Sequence, residues 1–197
     1  MGVRAERKAA TRRDIQAAAL DLIEAAGLEA TTVAQIAERA GVSERTFFRY
    51  YVSKEAAALP GQDELIEALV GRDLARNMSP AQIRDELMDV CRAQFAHELE
   101  NYEFLQISRL VLREPKILQM VRRQELQLVT ELSNSLMERK LLDRMQSLLV
   151  AEVIACTWRV AWQCFAHEQD AGADADPAEL YERAVADLSE IASPLGR

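Results

Sequence analysis

The segment Thr31 to Lys54, TTVAQIAERAGVSERTFFRYYVSK, leaves this chain few ways to fold. Thr32 and Gln35 have the spacing of a capping box, a hydroxyl at the helix start and an amide three residues on. Val33, Ile36, Ala37 and Ala40 then recur at helical spacing and make one apolar face. Gly41 follows at once and permits the positive φ that ends a helix and turns the chain. Val42 is the apolar residue of the turn, and Ser43 is suited to cap a second helix. Phe47 and Tyr51, four apart, point back into a small core, and Ser53 caps a third helix. Two short amphipathic helices joined by a tight turn make a helix-turn-helix.

The residues left for the outer surface of the second helix are Ser43, Arg45, Thr46, Arg49 and Tyr50. A guanidinium can bond a guanine edge with two hydrogens, and hydroxyls suit phosphate oxygens. Lys54 falls in the first turn of the third helix, beside backbone N–H groups that favour a phosphate. This pattern predicts sequence-directed binding to double-stranded DNA. The geometry also occurs without DNA, so a helical dimeric interaction or ligand-binding protein that does not bind DNA is the alternative.

The order Thr-x-x-x-Ile-Ala-x-x-Ala-Gly-Val-Ser-x-x-Thr-Phe-Phe-Arg-Tyr-Tyr-x-Ser-Lys-Glu resembles the DNA-binding domain of TetR-family transcriptional regulators. The likeness covers about the first third of the chain and includes a preceding helix, Thr11 to Ala26, followed by Gly27. It implies a recognition helix over Ser43 to Tyr50. By this resemblance Thr32, Ser43, Thr46, Tyr50 and Lys54 map onto phosphate-facing positions, while Glu44, Arg45 and Arg49 map onto positions that read bases. Phe48 stands where the family often has Tyr, Tyr51 replaces a usual Phe, and Pro60-Gly61 interrupts a normally continuous helix. The implied division is a DNA-binding domain at 1–55 and a helical ligand-binding and dimerisation domain at 56–197.

A net charge of −8 is at first sight wrong for a DNA-binding chain. Its distribution removes the difficulty. Arg4, Arg7, Lys8, Arg12 and Arg13 face only Glu6 among residues 1–13, and residues 1–55 hold nine basic and eight acidic groups. The excess of acid lies in the remainder, where screening over roughly 8 Å isolates it from a bound duplex. The basic start is expected to be a disordered arm in the free protein, able to follow the DNA backbone.

No signal-peptide core and no uninterrupted apolar run of about 18 residues appears, which predicts a cytoplasmic protein without a membrane partner. Cys91, Cys156 and Cys164 form no C-x-x-C pair and are expected as buried structural thiols. His97 and His167 lack neighbours at metal-ligand spacing, so no metal and no cofactor is expected. No nucleophile–base spacing or phosphate loop suggests an enzyme.

The rest of the chain reads as helices, giving an all-α fold. One is expected over Gln62 to Met78, a second opens at Ser79-Pro80-Ala81-Gln82, and Asn101 caps a third. A long helix opens at Pro115, Lys140 to Asp143 make a bend, and Asp176-Pro177 starts a last helix ending near Ala192. Between them, Arg144 to Glu168 is apolar nearly all round and so needs more than one neighbour. A second copy of the chain is the simplest extra partner, which predicts a homodimer joined through a four-helix bundle. On this helix Glu152, Arg159 and Gln163 share one stripe, and Glu152 is the expected partner of Arg159, the other reading being an acidic ligand head group. The resemblance implies a small-molecule effector, apolar or amphipathic, among these helices. Phe95, Tyr102, Phe104, Met120, Trp158, Arg159 and Trp162 are candidates to line its site, with plain core packing as the other reading of the aromatic and Met members.

Overall fold

The first helix takes in the basic segment near the start of the sequence. In the computed structural model, which describes residues 3–59, 63–98, 103–173 and 175–192, α1 runs Val3–Ala26. Helix thus extends over the basic start, where a disordered arm is expected. The reason is local: from Val3 onward there is no Gly or Pro before Gly27, and Ala5, Ala9 and Ala10 favour helix among the charges. Gly27, at φ +86°, ends it. The helix-turn-helix follows as α2 (Val33–Arg39), α3 (Glu44–Tyr50) and α4 (Lys54–Ala57). The remaining helices are α5 (Asp63–Val70), α6 (Pro80–Glu98), α7 (Glu103–Arg113), α8 (Pro115–Glu138), α9 (Arg144–Asp170) and α10 (Pro177–Ile191). No strand occurs among the described residues, and the fold is all-α.

Packing divides the chain into two units that are not continuous in sequence. The first comprises 1–61 with 103–121, and the second 62–102 with 122–197. In the first unit α1 packs against α2, α4 and α7, and α2 against α3. Its core holds Ile15, Ala18, Ala19, Ile36, Ala37, Phe47, Tyr51 and Ala57. The Tyr51 hydroxyl donates to the Arg12 carbonyl at 3.2 Å, which satisfies the polar end of a ring otherwise in the core. Ion pairs and a hydrogen bond fasten α7 and the start of α8 within this unit. Glu24 accepts from Gln106 at 2.6 Å and lies 3.7 Å from the Arg109 guanidinium, and Lys116 reaches Glu29 at 2.6 Å.

In the second unit α9 packs against α6 and α10, and α6 against α5 and α10. The helix expected over 62–78 stops at Val70. Two observations explain the stop. A side chain on Gly71 would meet the Glu67 carbonyl oxygen at 2.8 Å, and Arg139 reaches in to donate to the carbonyls of Val70 and Arg72 at 3.0 and 2.9 Å. The guanidinium thereby satisfies carbonyls that a helix end leaves unbonded. Leu74 is still buried, from an irregular segment rather than a helix. Ser79 and Gln82 cap α6 as expected, through bonds of 2.8 and 3.3 Å. The bend after α8 is an αL turn: Lys140 sits at φ +57°, Leu141 N–H bonds the Leu136 carbonyl, and Lys140 N–H bonds the Met137 carbonyl.

By length and composition α9 is apolar enough to cross a membrane, with a mean hydropathy of 1.3. Its inner face, including Val150, Ile154, Trp158, Ala161 and Phe165, is instead buried inside the unit. The outer face is open: Met145, Leu148 and Leu149 are exposed, as is Cys164, which was expected to be buried.

Candidate nucleic-acid interface

The turn between α2 and α3 has the hydrogen bonds of a Schellman motif. Val42 N–H bonds the Ala37 carbonyl at 2.9 Å and Gly41 N–H bonds the Glu38 carbonyl at 3.1 Å, with Gly41 at φ +67°. The capping box at Thr32 is complete: Gln35 N–H donates to the Thr32 hydroxyl oxygen, and Thr32 N–H donates to Gln35 Oε1. Ser43 accepts from Thr46 N–H at 3.1 Å, and the two hydroxyls lie 3.0 Å apart. These bonds set the pitch and direction of a helix only seven residues long.

Burial then sorts the residues of α3. Phe47 is fully buried, and Tyr50 packs half-buried against the same core. Glu44, Arg45, Phe48 and Arg49 are exposed. Thr46 is half-buried, and Ser43 and Thr32 are exposed at the two helix starts. The Arg49 guanidinium lies over the Tyr50 ring at 5.2 Å, which restrains its direction. The outward face therefore carries two guanidinium groups, one carboxylate and one bare aromatic ring.

Lys54 stands apart from this set. Its ammonium donates to the carbonyls of Leu28 at 2.6 Å and Thr31 at 2.8 Å, and lies 3.5 Å from that of Glu29. Nothing in the sequence pattern announced these partners, because they lie more than twenty residues away along the chain.

Among the effector candidates, three aromatic rings of the second unit lie together. Phe95 is fully buried with its ring 4.1 Å from that of Trp158 and 6.3 Å from that of Trp162. A further close ring is Tyr181 of α10, 5.0 Å from Phe95, which the sequence reading passed over although it heads the apolar stripe of its helix. Its phenol donates to the Met88 carbonyl at 3.4 Å, and burial, followed by the Cys91 thiol, holds its ionisation well above the usual tyrosine range. Met120 falls in the first unit. Tyr102 and the Pro60-Gly61 break lie outside the described residues, as does the Phe104 side chain.

Arg159 does pair with a carboxylate, but not with Glu152. Its Nε donates to Glu125 Oε1 at 2.8 Å, while Glu152 is exposed. Two further guanidinium contacts, to Gln163 Oε1 and Cys156 Sγ, are each 3.5 Å. The bond to Glu125 raises the ionisation of Arg159 beyond its ordinary value, against the opposing effect of burial. Glu125 comes from α8, so a pair expected along one helix is made between two.

A polar outward face on a small helical platform, followed by an all-helical remainder, defines a helix-turn-helix architecture. Residues 15–57 match the family described as bacterial regulatory proteins, tetR family. Over those residues, the helix-turn-helix and the helix before it, the chain is similar to the TetR family. It is 44% identical over 69 residues to the HTH-type transcriptional regulator TcmR of Streptomyces glaucescens, a match covering 35% of this chain and 30% of that protein. Likeness over the whole fold extends further. FadR of Thermus thermophilus, a TetR-family transcriptional repressor solved with lauroyl-CoA, superimposes with a TM-score of 0.52 at 25% identity, covering 94% of this chain and 97% of FadR. The fatty acid degradation regulator FadR of Bacillus halodurans gives 0.58 at 16% identity, covering 95% and 97%, a likeness of fold alone.

Proposed function

We propose that the chain is a cytoplasmic, ligand-responsive transcriptional repressor that binds a palindromic DNA operator as a homodimer and is released by a small molecule. The observation that carries this reading is the sorting of α3. Phe47 anchors the helix from behind, while Glu44, Arg45 and Arg49 face outward without obstruction. In this reading those three meet base edges in the major groove, and Thr32, Ser43, Thr46 and Tyr50 meet phosphates. The DNA-binding module is 1–55, and 56–197 binds effector and dimerises.

The homodimer is supported by the open apolar face of α9, with Leu126 and Met137 of α8 and Ile191 of α10 also exposed. A two-fold contact would cover such a face on both copies at once. It would also set the two recognition helices about 34–36 Å apart, one helical turn of DNA. The effector is apolar or amphipathic. The aromatic cluster of Phe95, Trp158 and Trp162 supports this, as does the lauroyl-CoA held by the Thermus FadR. Binding among those rings requires parting them. Release follows if the effector prefers a second arrangement of the dimer, and only by the amount of that preference. The bonds from Gln106, Arg109 and Lys116 to the first unit give α7 and the start of α8 a direct hold on α1 and on the loop after it.

Selection of bound sequences from random DNA by the wild-type protein tests the reading. An enriched inverted repeat is expected; no enrichment at micromolar protein would refute it. Arg45→Ala and Arg49→Ala should each relax preference at one base position per half-site by about 1–3 kcal/mol. Thr46→Ala should weaken all sequences alike.

A further inference from the structure

We propose that Glu44 sets operator specificity by exclusion: its carboxylate accepts a cytosine amino group at one position of each half-site and opposes binding to any duplex that lacks one there. The inference deepens the repressor reading and rests on it. Glu44 is the first residue of α3 and is exposed. The backbone around it is fixed. The Ser43 hydroxyl accepts from Thr46 N–H at 3.1 Å, the Ser43 carbonyl accepts from Phe47 N–H at 2.9 Å, and the Phe47 ring is fully buried. Among the described residues Glu44 makes no ion pair. One turn further on stands Phe48, 55% exposed, its ring set edge-on against that of Phe47 at 5.4 Å. Arg45 and Arg49 form the neighbouring row, and the Arg49 guanidinium lies over the Tyr50 ring. The carboxylate therefore enters a groove beside an apolar ring, with no cation along its own row.

On a surface that meets DNA such a group is costly. A duplex carries one phosphate charge per about 1.7 Å of its axis, and docking strips water from the carboxylate. An ionised carboxylate accepts hydrogen bonds and donates none. The major groove offers amino donors on two bases only, N4 of cytosine and N6 of adenine. Adenine sets its N7 acceptor beside that amino group, guanine shows N7 and O6, and thymine shows O4; each of these acceptors repels a carboxylate. Cytosine alone presents a donor with no acceptor on the same edge. A cytosine opposite Glu44 thus compensates the lost water, and any other base leaves the charge uncompensated. Two-fold symmetry repeats the penalty in the second half-site. A carboxylate in the first turn also favours the positive end of a helix, but that role alone would alter stability and leave base preference untouched.

The test compares wild type, Glu44→Gln and Glu44→Asp on the selected operator, on a panel with each base pair substituted in turn, and on a random-sequence duplex of the same length, across a range of KCl. Wild type should prefer a C·G pair over G·C and T·A by at least about tenfold at one position per half-site. Glu44→Gln should lose that preference and turn toward adenine, whose N6 and N7 an amide fits, while the other positions keep theirs. On the random duplex Glu44→Gln should bind at least about threefold more tightly at low KCl, and the gain should shrink as salt screens the charge. Glu44→Asp keeps the charge and shortens the reach, so its cytosine preference should fall while its affinity for the random duplex stays at the wild-type value. Three results would each overturn the inference while leaving the repressor reading intact: no cytosine position that Glu44→Gln erases, no tighter binding of Glu44→Gln to the random duplex, or equal tightening in Glu44→Asp. If the wild-type chain selects no DNA, both fall together.

Discussion

Arg159 and Glu125 offer a quantitative test of how the second unit is held together. The Nε–Oε1 distance is 2.8 Å, and the side chains are 34% and 23% exposed, between the surface and buried limits. Exposed pairs contribute about 0–1 kcal/mol, and breaking a buried pair costs about 3–5 kcal/mol. Arg159→Met or Glu125→Met alone should therefore cost about 2 kcal/mol, since each leaves the other charge half-desolvated. The double variant removes both charges and keeps apolar volume, so it should also cost about 2 kcal/mol, an interaction of about 2 kcal/mol in magnitude. Urea denaturation at pH 7 and fixed protein concentration gives all four values, with m expected to be unchanged. If the single costs add in the double variant to within about 0.5 kcal/mol, the pair contributes nothing and the reasoning fails. The cycle also separates two roles for Arg159. A guanidinium kept for an effector head group would lose effector-induced release in Arg159→Met with little change in stability.

Three other perturbations follow from the geometry. Tyr181 is buried and its folded ionisation lies far above the unfolded value of about 10, so the unfolded chain loses that proton first; stability should be complete below pH about 10 and fall as pH rises beyond it. Phenolate absorbance should show Tyr181 ionising only with unfolding, and a Tyr181 signal that titrates near pH 10 in the folded protein would contradict this. Lys140 occupies the αL region at φ +57°, so Lys140→Gly should stabilise by about 0.5–1 kcal/mol in thermal or urea unfolding. Leu149 is 59% exposed on the open face of α9, and Leu149→Arg should convert the proposed dimer to monomer in sedimentation at micromolar concentration while leaving the helical content intact.

Local chemistry made the helix-turn-helix legible. A hydroxyl three residues before an amide, an apolar stripe at helical spacing and a glycine where φ must turn positive all act within a few residues, and α2, the Gly41 turn and α3 form where those signals stand. The same holds for Ser79-Pro80 and Pro115, whose caps and fixed φ start α6 and α8. Glu44, Arg45 and Arg49 were identifiable as outward because Phe47 and Tyr51 claim the inner face of so short a helix.

The errors share a cause. Glu152 was the carboxylate on the same stripe of the helix, yet Arg159 took Glu125, which stands on α8 and is 34 residues away along the chain. Gln62 to Met78 carried a helical stripe, but a distant guanidinium and a glycine pressed against a carbonyl ended the helix early. Cys164 belonged to an apolar run and came out exposed, because which side of α9 is covered depends on where α6 and α10 pack. The arm expected to be disordered is helical, because its alanines favour helix among the charges.

By itself the sequence determined where the helices start, their caps and the outward chemistry of α3, since each arises from interactions within about one helical turn. Tertiary structure alone decided the partners of Lys54 and Arg159, the enclosure of Tyr181 and the open face of α9. Those depend on which residues, remote along the chain, share the same few ångströms of space, and no local spacing records that.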